Sequence, residues 1–496
     1  MFAKNLMSRR LRLALLAAIS LFPAAASAGE SVSRPGVLHL SLDDAIRMTL
    51  AKNFSIEVSR FDPRIAKERV TSALGKFDPN FTVEWNNRED TRRDLLIGPR
   101  VTGDRLFQQQ RTLDAGFTGN TPWGLGYDAG LSTVWNGETY ETGGGITLSQ
   151  PLLRNAGLSA NLNGVRIARN NLLVSEWELR QRAIDLVTET IRVYNELHYA
   201  IENLKVAEGS RALAQQTLDD NKKRADIGVM SPLNITTARA EVAAREEGVI
   251  VAIREVKDNE NFLKQLVTND LEPMLAVQVE IEPPPSAAFR ADVPAGIAEA
   301  LQNRPDYRKA VIDLENRHIT LAFQKNQALP RLDLRGSLDL LGFDNDIGTS
   351  ITRLAEDRRT AWSVGAIFSV PLFNRTARGE ANAAKLSAAQ GIIDLQRIEQ
   401  QIVVDIDNAS GKIVSSRQRI ASTSESSKLA RESLDAGEER LKAGTGTTFE
   451  VLELQKKLIE AETAQLRARA DYNEAVNTYH NKTGVTLRIY RVSVEK

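Results

Sequence analysis

The chain is 496 residues long, with 64 basic and 64 acidic side chains, no cysteine and 42% hydrophobic residues. That length allows two to four ordinary domains, and the charge balance argues against a nucleic-acid partner and against a disordered acidic tail. The lack of cysteine excludes disulfides, thiolate zinc sites, cysteine nucleophiles and a lipid-modified N-terminal cysteine; it fits an oxidising compartment without requiring one.

Residues 1–28 read as a secretory signal peptide. Lys4, Arg9, Arg10 and Arg12 precede an apolar run from Leu13 to Leu21, and Ala26-Ser27-Ala28 supplies the small-residue cleavage site. The run is too short for a membrane anchor. Cleavage removes four positive charges and no acids, leaving 60 basic against 64 acidic residues, a net of −4. No later run reaches 18 apolar residues, so any membrane crossing falls to strands.

Residues 29–285 form a first unit. A helix is expected over 41–75, then strands over about 77–150. From Phe77 to Trp85 the odd positions are Phe77, Pro79, Phe81, Val83 and Trp85, with Asp78, Asn80, Thr82 and Glu84 between them. This period of two puts one face in an apolar phase and the other in water. It recurs in Leu113-Ala115-Phe117, Leu125-Tyr127-Ala129-Leu131 and Ile146-Leu148. A long helical hairpin is expected over 152–268. Between Pro151 and Pro232 there is no proline, and Ile184, Val187, Ile191, Tyr194, Ile201 and Leu204 recur at helical steps. About 70 helical residues would reach roughly 100 Å. After the turn, Ile235, Val242, Val249, Val256 and Leu263 stand seven apart, a spacing that supercoils packed helices left-handedly.

Residues 286–496 repeat the plan after the linker Glu282-Pro283-Pro284-Pro285. A helix is expected over 293–328, strands over about 331–371, a second long hairpin over 374–483 and a tail over 484–496. Alternation returns in Leu332-Leu334-Leu338-Leu340 and in Trp362-Val364-Ala366-Phe368-Val370, and coiled spacing in Ile402, Ile406, Ala409, Ile413 and Ile420. Ser149-Gln150-Pro151 answers Ser369-Val370-Pro371, Gly228 answers Gly444, and Thr268 answers Thr483, at offsets of 220, 216 and 215 residues. An internal two-fold repeat follows. Four of five tryptophans (Trp85, Trp123, Trp135, Trp362) fall in the alternating segments, as interfacial girdles require. A soluble half-buried sheet shares the alternation.

Specific motifs carry a resemblance. Leu42-Asp43-Asp44-Ala45 through Ala51-Lys52-Asn53, Asn303-Arg304-Pro305-Asp306 with Ala328-Leu329-Pro330, Ala443-Gly444 with Phe449-Glu450-Val451-Leu452, and Ile227-Gly228-Val229 stand in order along the chain. The whole mature chain resembles the TolC-type outer-membrane efflux channels. The resemblance implies a mainly α fold with β: a homotrimer whose long antiparallel hairpins form a periplasmic α-barrel, topped by a shared transmembrane β-barrel, with a mixed collar around 29–52, 270–303 and the C-terminus. One copy has too few strands to close a barrel, and open edges are forbidden in lipid. The extra pair of alternating segments, roughly 107–136 with a turn at Thr121-Pro122-Trp123-Gly124, is read as an extracellular hairpin on a barrel of about 12 strands; the alternative is a barrel of about 18.

The implied function is a trimeric exit duct of a tripartite efflux or type I secretion system, in the outer membrane of a Gram-negative-type bacterium, with a large periplasmic part. Its partners would be a periplasmic adaptor (membrane fusion) protein, an inner-membrane pump or ABC transporter, and outer-membrane lipid. Glu450 and Glu453, three apart on one helix face, would ring the periplasmic aperture and favour cations. The tips Gly228, Val229, Met230, Ser231 and Gly444, Thr445, Gly446, Thr447 would meet the adaptor. The family's latch between the tips is altered, because Gly446, Leu441 and Asn234 stand in place of a basic, an aromatic and an acidic residue. Neither a catalytic cluster nor a cofactor or metal motif is visible: His39, His198, His318 and His480 are scattered, without paired spacing. The competing reading is a non-conducting coiled-coil envelope spacer or interaction protein.

Overall fold

The computed structural model describes residues 36–93, 105–228, 230–285, 289–357 and 359–493. The expected signal peptide and Val229 of the first tip lie outside them. In chain order the elements are β1 (Val37–Leu40), α1 (Leu42–Lys52), α2 (Phe54–Ser59), α3 (Phe61–Leu74), β2 (Asn80–Arg93), β3 (Arg105–Asn120), β4 (Gly126–Trp135), β5 (Tyr140–Pro151), α4 (Gly157–Asn161), α5 (Asn163–Asp226) and α6 (Pro232–Val267). There follow α7 (Leu271–Leu275), β6 (Gln278–Ile281), α8 (Val293–Asn303), α9 (Pro305–Gln327), β7 (Arg331–Asp344), α10 (Ile347–Glu356), β8 (Arg359–Ser369), α11 (Arg375–Lys442), α12 (Thr448–Thr483) and α13 (Thr486–Ile489).

Four helices form a layer in the spatial order α6, α5, α12, α11. The outgoing legs α5 and α11 have 64 and 68 residues, the return legs α6 and α12 only 36 each. So the legs are unequal, as turns at Gly228 and Gly444 require. The upper half of each long leg is covered instead by α3, packed on α5, and by α9, packed on both α5 and α11. The seven-step stripe of α6 turns inward, with Val249 and Leu263 buried and Ile235, Val242 and Val256 half-buried. On α11, Ile402, Ile406, Ala409 and Ile413 are buried against Tyr472, Ala475 and Tyr479 of α12 and Ala300 of α8. Each such large side chain contributes roughly 1.5–3 kcal/mol by leaving water.

Two expected helices are broken. The helix expected over 41–75 is three segments: α2 gives way to α3 at Arg60, and the first break falls at Asn53, which takes an extended conformation. Its side chain accepts from Ser55 N at 2.9 Å and donates to Leu266 O at 3.1 Å, capping α2 while tying it to α6. The helix expected over 293–328 breaks at Arg304, the residue before Pro305, where the proline ring disfavours the helical region. Arg304 is extended and bonds Asp306 at 2.6 Å and Asp405 of α11 at 3.0 Å. The expected tail over 484–496 contains α13, packed on α5.

A parallel pair, β1 with β6, closes a core beside α1, α5 and α6. Here the Tyr194 hydroxyl lies 3.0 Å from Leu40 O and 2.7 Å from Glu282 O, and burial pushes its pKa up to about 12. Lys264, wholly buried, bonds Glu260 at 2.7 Å and the carbonyl of Val277.

The remaining strands make one antiparallel sheet in the order β2-β3-β4-β5-β7-β8. The reading of 107–136 as a hairpin outside a smaller sheet is therefore corrected. β3 and β4 pair over their lengths with β2 and β5, and the turn at 121–124 lies at the helix end, where Trp123 O accepts from Gly157 N of α4 at 3.1 Å. The strand span expected over 331–371 is also interrupted, by α10.

Candidate functional site

Two features concentrate exposed chemistry: the sheet, with unlike faces, and the helix tips at the opposite end. One row across the sheet, Phe81, Phe117, Ala129, Ile146, Leu338 and Trp362, is set by the register and is apolar on every strand. Phe81, Phe117 and Trp362 are 60%, 52% and 75% exposed in the single chain. The alternate row carries Asp128, Thr147, Ser337 and Ser363, and Glu84 stands beside Asp114 on the same side. The Ser337 and Ser363 hydroxyls meet at 2.9 Å. Among the described residues, the outer edges of β2 and β8 pair with no strand.

At the first tip α5 ends on a turn in which Gly228 takes φ 79°, a left-handed conformation that favours glycine. Ser231 caps α6 by accepting from Leu233 N at 3.3 Å, and Pro232 opens the helix. The second tip follows the same plan. Gly444 takes φ 79°, the amides of Thr445 and Gly446 donate to Arg440 O at 2.9 and 3.0 Å, and Thr447 Oγ1 accepts from Glu450 N at 3.2 Å. A Cβ on Gly446 would lie 3.0 Å from Leu441 N and 3.2 Å from the carbonyl carbon of Arg440. This turn has little room for a larger residue there.

The cations at the tips come from elsewhere. Arg440, one turn before the second tip, bonds Glu450 at 2.7 Å. Arg224, in the last turn of α5, donates to Leu441 O at 2.9 Å and so joins the two hairpins. Below them runs a buried polar seam between α5 and α12: Gln455 Nε2 donates to Thr217 Oγ1 at 3.0 Å, and Thr448 Oγ1 lies 3.4 Å from Asn221 Oδ1. Leu434, Val451 and Leu458 fill the space beside it, with Leu441 packed on them.

Of the residues expected to act, Glu453 is exposed and Glu450 is half-buried against Arg440, while Gly228, Gly444 and Thr447 shape the turns. Sequence reasoning passed over Arg224 and Arg440, and gave no role to Ile227, Leu233 and Phe449. Those three apolar side chains are 75%, 70% and 73% exposed at the tips.

The sequence profile of a family described as "Outer membrane efflux protein" matches residues 98–269 and 296–484, more than half of the chain. The chain belongs to that family. Membership assigns it to the outer membrane, with a part in the periplasm. It is 21% identical over 286 residues to nodulation protein T of Rhizobium leguminosarum bv. trifolii, covering 57% of this chain and 59% of that one. It is likewise 21% identical over 309 residues to the outer membrane protein TolC of Escherichia coli, covering 60% and 61%. The match thus spans about three fifths of the length of either relative. The solved outer membrane protein VceC of Vibrio cholerae shares the fold at a TM-score of 0.68 and 16% identity, covering 89% of this chain and 96% of that one.

Proposed function

We propose that three copies of this chain form a passive outer-membrane exit duct for a tripartite efflux or type I secretion system. The observation that carries the reading is the six-stranded sheet, with one apolar exposed face, one polar face and, among the described residues, two unpaired edges. In lipid such edges must be paired, and β2 of one copy against β8 of the next removes both. Three sheets of six strands then make a barrel of about 18, with the polar rows lining a wet lumen. This replaces the smaller barrel expected from the sequence.

The helical layer supports the same closure. Its outer helices leave Ile250, Val251, Ile253 and Phe262 of α6 exposed, and Leu386, Ile393, Val403 and Val404 of α11. Packing α6 of one copy on α11 of the next would cover both sets and continue the layer into a periplasmic tube. The duct performs no catalysis, and energy comes from an inner-membrane pump or ABC transporter. A periplasmic adaptor docks at the tips through Gly228, Val229, Met230, Ser231, Gly444, Thr445, Gly446 and Thr447, anchored on the exposed Ile227, Leu233 and Phe449. Glu450 and Glu453 line the aperture between them. The test is current through purified protein in a planar bilayer: discrete cation-favouring steps are expected, and a silent bilayer with correctly inserted protein would favour the envelope spacer.

A further inference from the structure

Between β7 and β8, at the sheet end remote from the long helices, α10 folds back onto the sheet. Which face it covers is fixed by its contacts. Ser350, fully buried, places its hydroxyl 2.8 Å from Thr142 Oγ1, 3.1 Å from Gly342 O and 3.2 Å from Tyr140 O. Thr142 in turn meets Thr133 at 3.2 Å between their hydroxyls. A Cβ added to Gly144 would lie 3.6 Å from Leu354 Cδ1 and 3.4 Å from Leu131 Cδ1. By register Thr133, Thr142 and Gly342 share the face of Leu131, Ile146 and Leu338, the apolar one. α10 therefore sits on the apolar side of the wall, away from the polar rows.

We infer that α10 is an interfacial helix, resting on the lipid side of the barrel at its outer rim and giving Ile347 and Ile351 to the acyl chains of the outer leaflet. The inference rests on the barrel reading above. Ile347, Ile351 and Leu354 stand at helical steps of four and three; Leu354 faces the sheet, while Ile347 and Ile351 remain 38% and 41% exposed. They extend the apolar band of Ile146, Leu148, Leu334 and Leu338, so one solvent, lipid, covers helix and sheet together. The level is right for an interface. From Leu334 to Gly342 is eight residues, ~27 Å along the strand and ~20 Å of height at a tilt of ~40°, close to the top of a band ~25 Å tall. The helix ends stay polar: Asp346 caps the N-terminus by accepting from Thr349 N at 2.9 Å, and Arg353 bonds Asp344 at 2.6 Å and Phe343 O at 2.8 Å. Docked this way, α10 hides the hydroxyls of Thr133 and Thr142, which would otherwise face hydrocarbon.

The seat is specific. A Cβ on Gly342 would lie 2.2 Å from Ser350 O, so a side chain there displaces the helix. Because the chain has no cysteine, single reporters can be placed cleanly. Ile351→Cys, Leu338→Cys and Ser363→Cys are labelled with an environment-sensitive fluorophore in proteoliposomes whose lipids carry nitroxide quenchers, either near the headgroup or deep in the acyl chain. The expected result is that the label at 351 is quenched more by the shallow nitroxide, that at 338 more by the deep one, and that at 363 by neither. Adding Gly342→Val should abolish most quenching at 351 and spare that at 338. If 338 is quenched and 351 is not, the helix inference is overturned while the barrel stands. If neither is quenched, the barrel reading fails with it. Should Gly342→Val fail to assemble, Ser350→Ala, which removes the three hydroxyl contacts, takes its place.

Discussion

The tip contact of Arg224 gives the sharpest prediction about gating. Its guanidinium is half-buried and donates to Leu441 O at 2.9 Å, across 217 residues of sequence. It is a direct bond between the last turn of the first outgoing helix and that of the second. Arg224→Met keeps the apolar stem and deletes the bond. A hydrogen bond from a charged donor contributes ~1.5–3 kcal/mol, and partial exposure argues for the lower end. At ~1.5 kcal/mol the resting arrangement of one copy loses about tenfold in its favour, and three tips moving together would lose on the order of a thousandfold. Single-channel recording reads this directly, as longer or more frequent high-conductance dwells. Hydrogen exchange at residues 222–226 and 439–443 should quicken in parallel. Unchanged dwell times and exchange in Arg224→Met would refute the idea that this bond holds the tips together.

Glu450 is partly neutralised by Arg440, whereas Glu453 is exposed. Reversal-potential measurements should therefore show Glu453→Ala weakening cation selectivity more than Glu450→Ala, with the double variant weakest; equal permeability ratios in all forms would remove both acids from the aperture. The buried pair Lys264–Glu260 also holds β6, since Glu260 accepts from Val279 N at 3.1 Å; desolvation works to raise the Glu260 pKa, but bonds from Lys264 and Lys257 hold it below the usual carboxylate range. Glu260→Gln should cost ~3–5 kcal/mol in denaturant unfolding by stranding the Lys264 charge, and adding Lys264→Met should recover part of it; a loss under ~1 kcal/mol would show that the pair is solvated. His480, packed edge-on to Phe289 at 5.1 Å, has its pKa lowered by burial to about 4, against a weak opposing pull from Glu299. Between pH 6.5 and 4 the unfolded chain binds the extra proton, so stability falls as pH falls through this window, by about 3 kcal/mol in all. His480→Phe should flatten that part of the melting profile, and an unaltered slope would place the titration elsewhere.

Much of this architecture could be read from residue spacing, and what escaped has identifiable causes. The sheet faces were legible because a period of two survives in all six strands, and the tips because Gly228 and Gly444 interrupt long proline-free runs. The break at Arg304-Pro305 carried a local signal that helical periodicity on both sides masked. α10 was absorbed into a strand region because ten residues barely establish a period. β1 and β6, four residues each, gave even less. Arg224 and Arg440 look like solvated charges in sequence, and only the three-dimensional pairing of the two hairpins gives Arg224 its acceptor. That Gly446 stands in place of the family's basic residue was legible in the sequence, but the close approach of the Arg440 and Leu441 backbone around it was not.

Whether one chain can stand alone is the question on which the account depends. Native mass spectrometry of the mature protein released from detergent, after cysteines placed on β2 and β8 have been oxidised, answers it in one spectrum. The expected mass is that of three chains, with disulfides formed only between neighbouring copies. A single-chain mass from protein that stays folded and monodisperse without detergent would contradict it.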